Sequence, residues 1–284
     1  MSLNAGLSIP EVRNTRSAHL TDDIDYVIKG AETQYVEIEL DPGEAAIAEA
    51  GSMMHKDPDI AMSTLLGDGS DTEKTLVSRV WGAGKRTVTG VGTFTTLFSH
   101  EGTGKAHVAF AAPYPGHIIA LRLDDIGGEL ICQRDAFLCA ARGVSLDLYL
   151  QKKVMTGIFG GDGFILQHLI GHGWVFVHVG GTVMERELAA GEIIDVDPGC
   201  VAAFTKRVDF DLVSAGSVKS RLFGGSGFFF ARLTGPGKVW VQSLPFSRLA
   251  GRIGASVAVS DTKTEVGMDI AGAVGVGLID ALKR

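Results

Sequence analysis

Residues 160–181 read GGDGFILQHLIGHGWVFVHVGG. Two apolar runs, Phe164–Ile170 and Trp174–Val179, flank Gly171-His172-Gly173. β-Branched and aromatic arms around glycines predict a β-hairpin. The same design returns at 224–245 as GGSGFFFARLTGPGKVWVQSLP. Both faces of the first arm are apolar, with Phe164 and Leu166 on one and Ile165 and Leu169 on the other. A sheet wetted on one side alternates more cleanly, so these arms are expected to be covered on both sides, by another sheet or another chain. The candidate interface or binding residues are therefore Phe164, Gln167, His168, Trp174 and His178. Their counterparts in the stretch 224–245 are Phe228, Arg232, Trp240 and Gln242.

Working outward, a second marker recurs. Gly43-Glu44, Gly128-Glu129 and Gly191-Glu192 each open a short apolar strand, then a turn, then another apolar strand. Gly102-Thr103-Gly104, Gly171-His172-Gly173 and Gly235-Pro236-Gly237 follow in the same order. Self-similarity at a fixed period predicts three copies. The first copy carries an insertion, placed at the polar run Gly67–Lys74. Upstream, Tyr35–Leu40 alternates strictly, as a half-buried strand does, and Asp41-Pro42-Gly43 is a turn. Near the end, Thr262-Lys263-Thr264-Glu265 fits a capping box, which predicts a helix over Val266–Leu282.

Composition narrows the classes. The chain has 284 residues, 38 of them glycine and 3 cysteine, and a net charge of −7. Glycine without a Gly-X-Y period suits tight turns in an all-β protein. A net acidic chain has no general attraction for phosphates, which argues against DNA and disfavours RNA. Cys132, Cys139 and Cys200 lack Cys-x-x-Cys spacing and read as core residues of a reducing compartment. The first 25 residues show no signal-peptide pattern, and the expected location is cytoplasmic.

Chemistry-bearing motifs are weak. His168 and His178, placed across one hairpin, are the candidate pair of metal ligands. Against that, Arg232 and Gln242 fill the corresponding places of the third copy, as polar residues at a sheet surface or subunit contact would. Gly84-Lys85, Gly104-Lys105 and Gly237-Lys238 lack the Ser or Thr and the helix that a phosphate loop requires. No nucleophile elbow or His-Glu-x-x-His occurs, so no catalytic residue and no cofactor is assigned. Lys152, Lys153, Lys206, Arg207, Lys219 and Arg221 make small basic clusters near turns, with aromatics nearby, the one feature that suits single-stranded RNA.

Longer phrases carry a family likeness. Ala111-Ala112-Pro113-Tyr114-Pro115-Gly116-His117-Ile118, Gly163–Gln167 and Gly235–Pro245 resemble the altered-inheritance-of-mitochondria family. So does Leu40–Glu44 followed by Ala50-Gly51-Ser52-Met53. The resemblance spans about residues 24–250 and implies a β-sandwich related to the tryptophan RNA-binding attenuation protein. It also implies homo-oligomers, specifically trimers, and supplies no active-site residues.

The expected architecture is all-β: three β-sandwich repeats around a pseudo-threefold axis, with a short C-terminal helix. The repeats span 24–121, 122–187 and 188–250, after a flexible arm (1–23) and before a C-terminal tail (251–284). The expected function is a non-enzymatic scaffold or binding protein that forms a symmetric homo-oligomer. The tail is available to a protein partner or a membrane surface. The alternatives are a small-ligand or metal-dependent enzyme with a pocket between repeats, and an RNA-binding ring by analogy of fold.

Overall fold

The structure is a computed structural model. It describes residues 12–13, 23–49, 51–66, 94–149, 165–214 and 229–261. Among them lie twenty strands in four antiparallel sheets, and one α-helix.

Sheet I orders β1 (Val12–Arg13), β2 (Asp25–Lys29), β3 (Tyr35–Leu40), β8 (Ala106–Ala111) and β5 (Met53–Lys56). Sheet II orders β6 (Ile60–Leu66), β7 (Phe94–His100), β4 (Ala45–Glu49), β11 (Phe137–Ala141), β14 (Trp174–Gly180) and β9 (Gly116–Arg122). Sheet III orders β12 (Val144–Leu148), β13 (Leu166–Gly171), β10 (Glu129–Gln133), β17 (Val201–Thr205), β20 (Gly237–Gln242) and β15 (Val183–Leu188). Sheet IV orders β16 (Ile193–Val196), β19 (Phe229–Thr234) and β18 (Asp209–Ser214).

One pairing rule produces all four. From β3 onward the strands fall into sextets, β3–β8, β9–β14 and β15–β20. In each, the sixth strand lies between the first and third, and the fifth lies between the second and fourth. Sextets join by strand pairing: β4 pairs with β11, and β10 pairs with β17.

The apolar pattern explains the layering. β3 alternates as its sequence requires, burying Val36, Ile38 and Leu40 against the first core. β11 and β17 are buried at every position, because their two faces feed different cores. The first core lies between sheets I and II and includes Val36, Phe98, Phe110 and Phe176. The second lies between sheets II and III, with Ile47, Leu130, Val177 and Trp240. The third lies between sheets III and IV, with Ile131, Phe204, Phe210 and Leu233. The arms β13, β14 and β20 are thus covered on both faces by other sheets of the same chain, whereas β19, in sheet IV, leaves Phe230 40% exposed.

Three expectations need correction. The arms around Gly171-His172-Gly173 are not a hairpin: β13 pairs with β10 and β12 in sheet III, while β14 pairs with β9 and β11 in sheet II. The turn carries the chain between layers, with Gly171 and Gly173 at φ +139° and +89°. β19 and β20 likewise part into sheets IV and III.

Second, the Gly-Glu marker slips by one residue in the middle copy. Ladder register places Ile47, Ile131 and Asp195 at equivalent points, opposite Leu97, His168 and Arg232. Gly128, not Glu129, therefore stands where Glu44 and Glu192 stand. Those two glutamates each close a turn, on the Asp41 and Ala189 amides at 2.8 Å. Ladder register also places Ala111, His178 and Gln242 at equivalent points, three residues beyond Val108, Val175 and Val239.

Third, the helix α1 runs Phe246–Asp261, ahead of the capping box. The box and the Val266–Leu282 stretch lie outside the described residues, as do the arm's first residues, the Gly67–Lys74 insertion, Lys152, Lys153, Lys219 and Arg221. Contacts divide the chain into two units, residues 1–246 and 247–284.

Candidate functional site

The candidate residues named from the sequence disperse across the layers, and Phe164 and Phe228 lie outside the described residues. Gln167 is buried in β13, and its Oε1 has no hydrogen-bond partner among the described residues. His168 lies on the opposite face of that strand, its Nε2 2.6 Å from Glu129 Oε2. Trp240 is buried in the second core and donates Nε1–H to Glu185 Oε2 at 3.0 Å. Arg232 faces outward on sheet IV and clamps Asp195 with two hydrogen bonds of 2.7 Å. His168 and His178 sit in different sheets and do not face each other, which removes the pairing that suggested a metal. Among the described residues no cluster of three His, Cys, Asp or Glu side chains is arranged to hold a metal ion.

What the fold does bring together is the corner where β9, β14 and the end of β20 meet. The phrases 111–118 and 235–245, far apart in sequence, join there through Gly180 and Gly181. Leu244 N–H donates to Gly180 C=O at 3.0 Å, and Gly181 N–H donates to Pro115 C=O at 3.3 Å. Thr182 N–H donates to Ser243 Oγ at 2.8 Å. Gln242 accepts from Gly180 N–H at 3.0 Å and donates to Gln133 Oε1 at 3.1 Å and to Gly199 C=O at 3.0 Å. Its amide is fully used in tying β14 to the β10–β17 region. Glycine is required at 180, because a Cβ there would strike the Leu244 carbonyl oxygen and the Tyr114 ring.

His178 lies in the same corner and is 1% exposed. Tyr114 packs edge-on against its ring, with centroids 4.6 Å apart. Among the described residues neither ring nitrogen has a hydrogen-bond partner of normal geometry. A Cβ at Gly116 would come within 2.7 Å of Nε2, so the imidazole is sealed by backbone. Burial, with His117 adding repulsion, pushes the His178 pKa down to about 4. Burial raises the Tyr114 hydroxyl to about 12, helped by Asp135. Both groups are neutral at pH 7, which suits packing or a neutral hydrogen-bonding ligand rather than acid–base turnover. Burial also pushes the Cys132 and Cys139 thiols up, so they are inert in the folded protein.

The outer face of sheet I is charged. Lys29 meets Glu37 at 2.6 Å, and His107 lies 3.3 Å from Glu39 and 3.4 Å from Asp57. Lys105 also bonds Glu39, and that bond lowers the Glu39 pKa. Sequence reading missed Tyr114 and Gly180 as site residues. The signal was present, since Tyr114 sits inside a quoted family phrase, but only the fold shows that two such phrases touch.

A family model described as Mitochondrial biogenesis AIM24 matches residues 26–244. An uncharacterized protein of Streptococcus pyogenes serotype M6 is 27% identical over 220 residues, covering 77% of this chain and 84% of that one. A solved crystal structure of a Streptococcus pyogenes protein superposes with a TM-score of 0.63 at 21% identity. It covers 82% of this chain and 99% of its own. That likeness concerns the fold. Among the described residues no helix is long and apolar enough to cross a membrane.

Proposed function

The chain belongs to the Mitochondrial biogenesis AIM24 family, and we propose that it is a self-assembling scaffold or binding module rather than an enzyme. The proposal keeps the three sextets as sandwich repeats and the chain as a trimer. A pseudo-threefold axis within one chain would bring β16 against its own β5, so the repeats run as an open row whose ends are completed by other copies. The observation that carries it is the sharing of sheets. Sheets II and III are each built half from one sextet and half from the next. A unit that completes its sheets only by borrowing a neighbour's strands is built for association. The polar side chains of the family phrases support the same reading, because Gln242 spends its amide on joining strands.

Native mass spectrometry of the full chain tests this. The expected result is a closed oligomer, an integer multiple of the 29.9 kDa chain mass, with three the expected integer. A monomer at micromolar concentration would sink the proposal. A second reading, a ligand or metal held at the corner, is favoured by the unsatisfied imidazole of His178. Metal analysis and intact mass of the same sample decide it: bound mass or stoichiometric metal lost on His178→Leu supports the second reading.

A further inference from the structure

The two internal joints predict a third, between copies. β4 and β10, the second strands of their sextets, are flanked on both sides. Among the described residues β16, the third such strand, has a partner only in β19. β11 and β17 are flanked on both sides, whereas among the described residues β5 has a partner only in β8. Burial follows flanking. β11 and β17 are buried at all five positions, but β5 leaves Met54 50% exposed and His55 exposed. Ala46, Ile47 and Ala48 of β4 are buried, as are Leu130, Ile131 and Cys132 of β10. In β16, Ile193 is 53% exposed and Asp195 is exposed. The same two positions in the pairing scheme are therefore filled twice and open once, at opposite ends of the stack.

We infer that β16 of one copy pairs antiparallel with β5 of the next, making the joint that β10 makes with β17. This deepens the self-assembly reading and rests on it. The internal joints fix the register. Ile47 lies opposite Ala140, and Ile131 opposite Phe204. Asp195 is the equivalent of Ile47 and Ile131, by its place opposite Arg232. Lys56 is the equivalent of Ala140 and Phe204, by its place opposite Val108 where they face Val175 and Val239. Lys56 of one copy therefore lies opposite Asp195 of the next, and the neighbouring pair is His55 with Val196.

The chemistry fits that register. Asp195 already holds Arg232, and Arg232 lies opposite Asp211. Adding Lys56 continues a row of alternating charge across the joined sheet, where like charges would oppose pairing. Each internal joint uses three residue pairs, so the four-residue strands β5 and β16 are long enough. The two edges differ, so the contact is head to tail, and it closes into a ring when the rotation per copy allows.

The test mixes two full-length variants, Lys56→Cys and Asp195→Cys, each checked by circular dichroism. Directly opposed residues of an antiparallel pair have Cα atoms about 4.5–5.5 Å apart, inside the roughly 4.4–6.8 Å that a disulfide spans. The native cysteines are buried and do not compete. Mild oxidation is expected to give a covalent dimer in the mixture and none with either variant alone. His55→Cys with Val196→Cys is the second pair, used if either first variant fails to fold. An oligomer by native mass that forms no mixture-specific dimer overturns this joint but leaves self-assembly standing. A monomer by native mass overturns both. A self-linked monomer from the doubly substituted chain shows the edges closing within one molecule, and overturns the joint between copies.

Discussion

Gln242 and His178 occupy equivalent points of β20 and β14, two residues beyond Trp240 and Phe176, which face Ala203 and Cys139 across their ladders. They differ in satisfaction. Gln242 makes three hydrogen bonds, while both nitrogens of His178 are left without one among the described residues. A buried imidazole in that state resists its proton. With the folded pKa near 4 and the ordinary value at 6.5, the unfolded chain binds the extra proton between those limits. The resulting destabilisation is absent above about pH 6.5 and grows as pH falls toward 4. His178→Leu is expected to relieve it, making the variant relatively more stable at pH 4.5 than at pH 7.5 by about 2 kcal/mol. Urea unfolding at the two pH values reads this, and identical pH dependence in parent and variant refutes it. Sequence reading found both residues as a matched pair but assigned them to a surface. Polarity in an apolar strand looks the same whether it faces water or a backbone corner.

Strands were legible at the element scale, and their partners were not. Alternation in Tyr35–Leu40 and the apolar runs of β13 and β14 identify extended chain with the right faces covered. Gly171-His172-Gly173 then misleads, because glycines that permit a two-residue hairpin also permit a step from one sheet to the next. Periodicity says which way side chains point, not which strand accepts the amide. Flanking should show directly in amide exchange. β4, β10, β11 and β17, with partners on both sides, are expected to exchange slowest. β5 and β16 are expected to exchange at least about tenfold faster in dissociated chain and to slow on assembly. Uniform protection of β5 and β16 at all concentrations would show that their edges are covered within the chain.

At the scale of the whole molecule, stability resides in three apolar layers between four sheets. The residues of those layers all precede position 247 among the described residues. Phe246 belongs to the first unit, where its ring lies 5.4 Å from Tyr114. The following described residues of α1 are largely exposed, Ile253 at 57%. A helix rich in small residues contributes little by itself in water. A chain ending at Phe246 is therefore expected to keep its β-sheet circular dichroism and cooperative unfolding, with the melting temperature within about 3 °C of the full chain. The three layers demand that outcome, because each is completed by strands of the first unit. If truncation instead abolishes cooperative unfolding, residues 247–284 are structural. If it preserves the fold while removing binding to vesicles or to a protein partner, the segment is the attachment arm of an assembly whose β units join edge to edge.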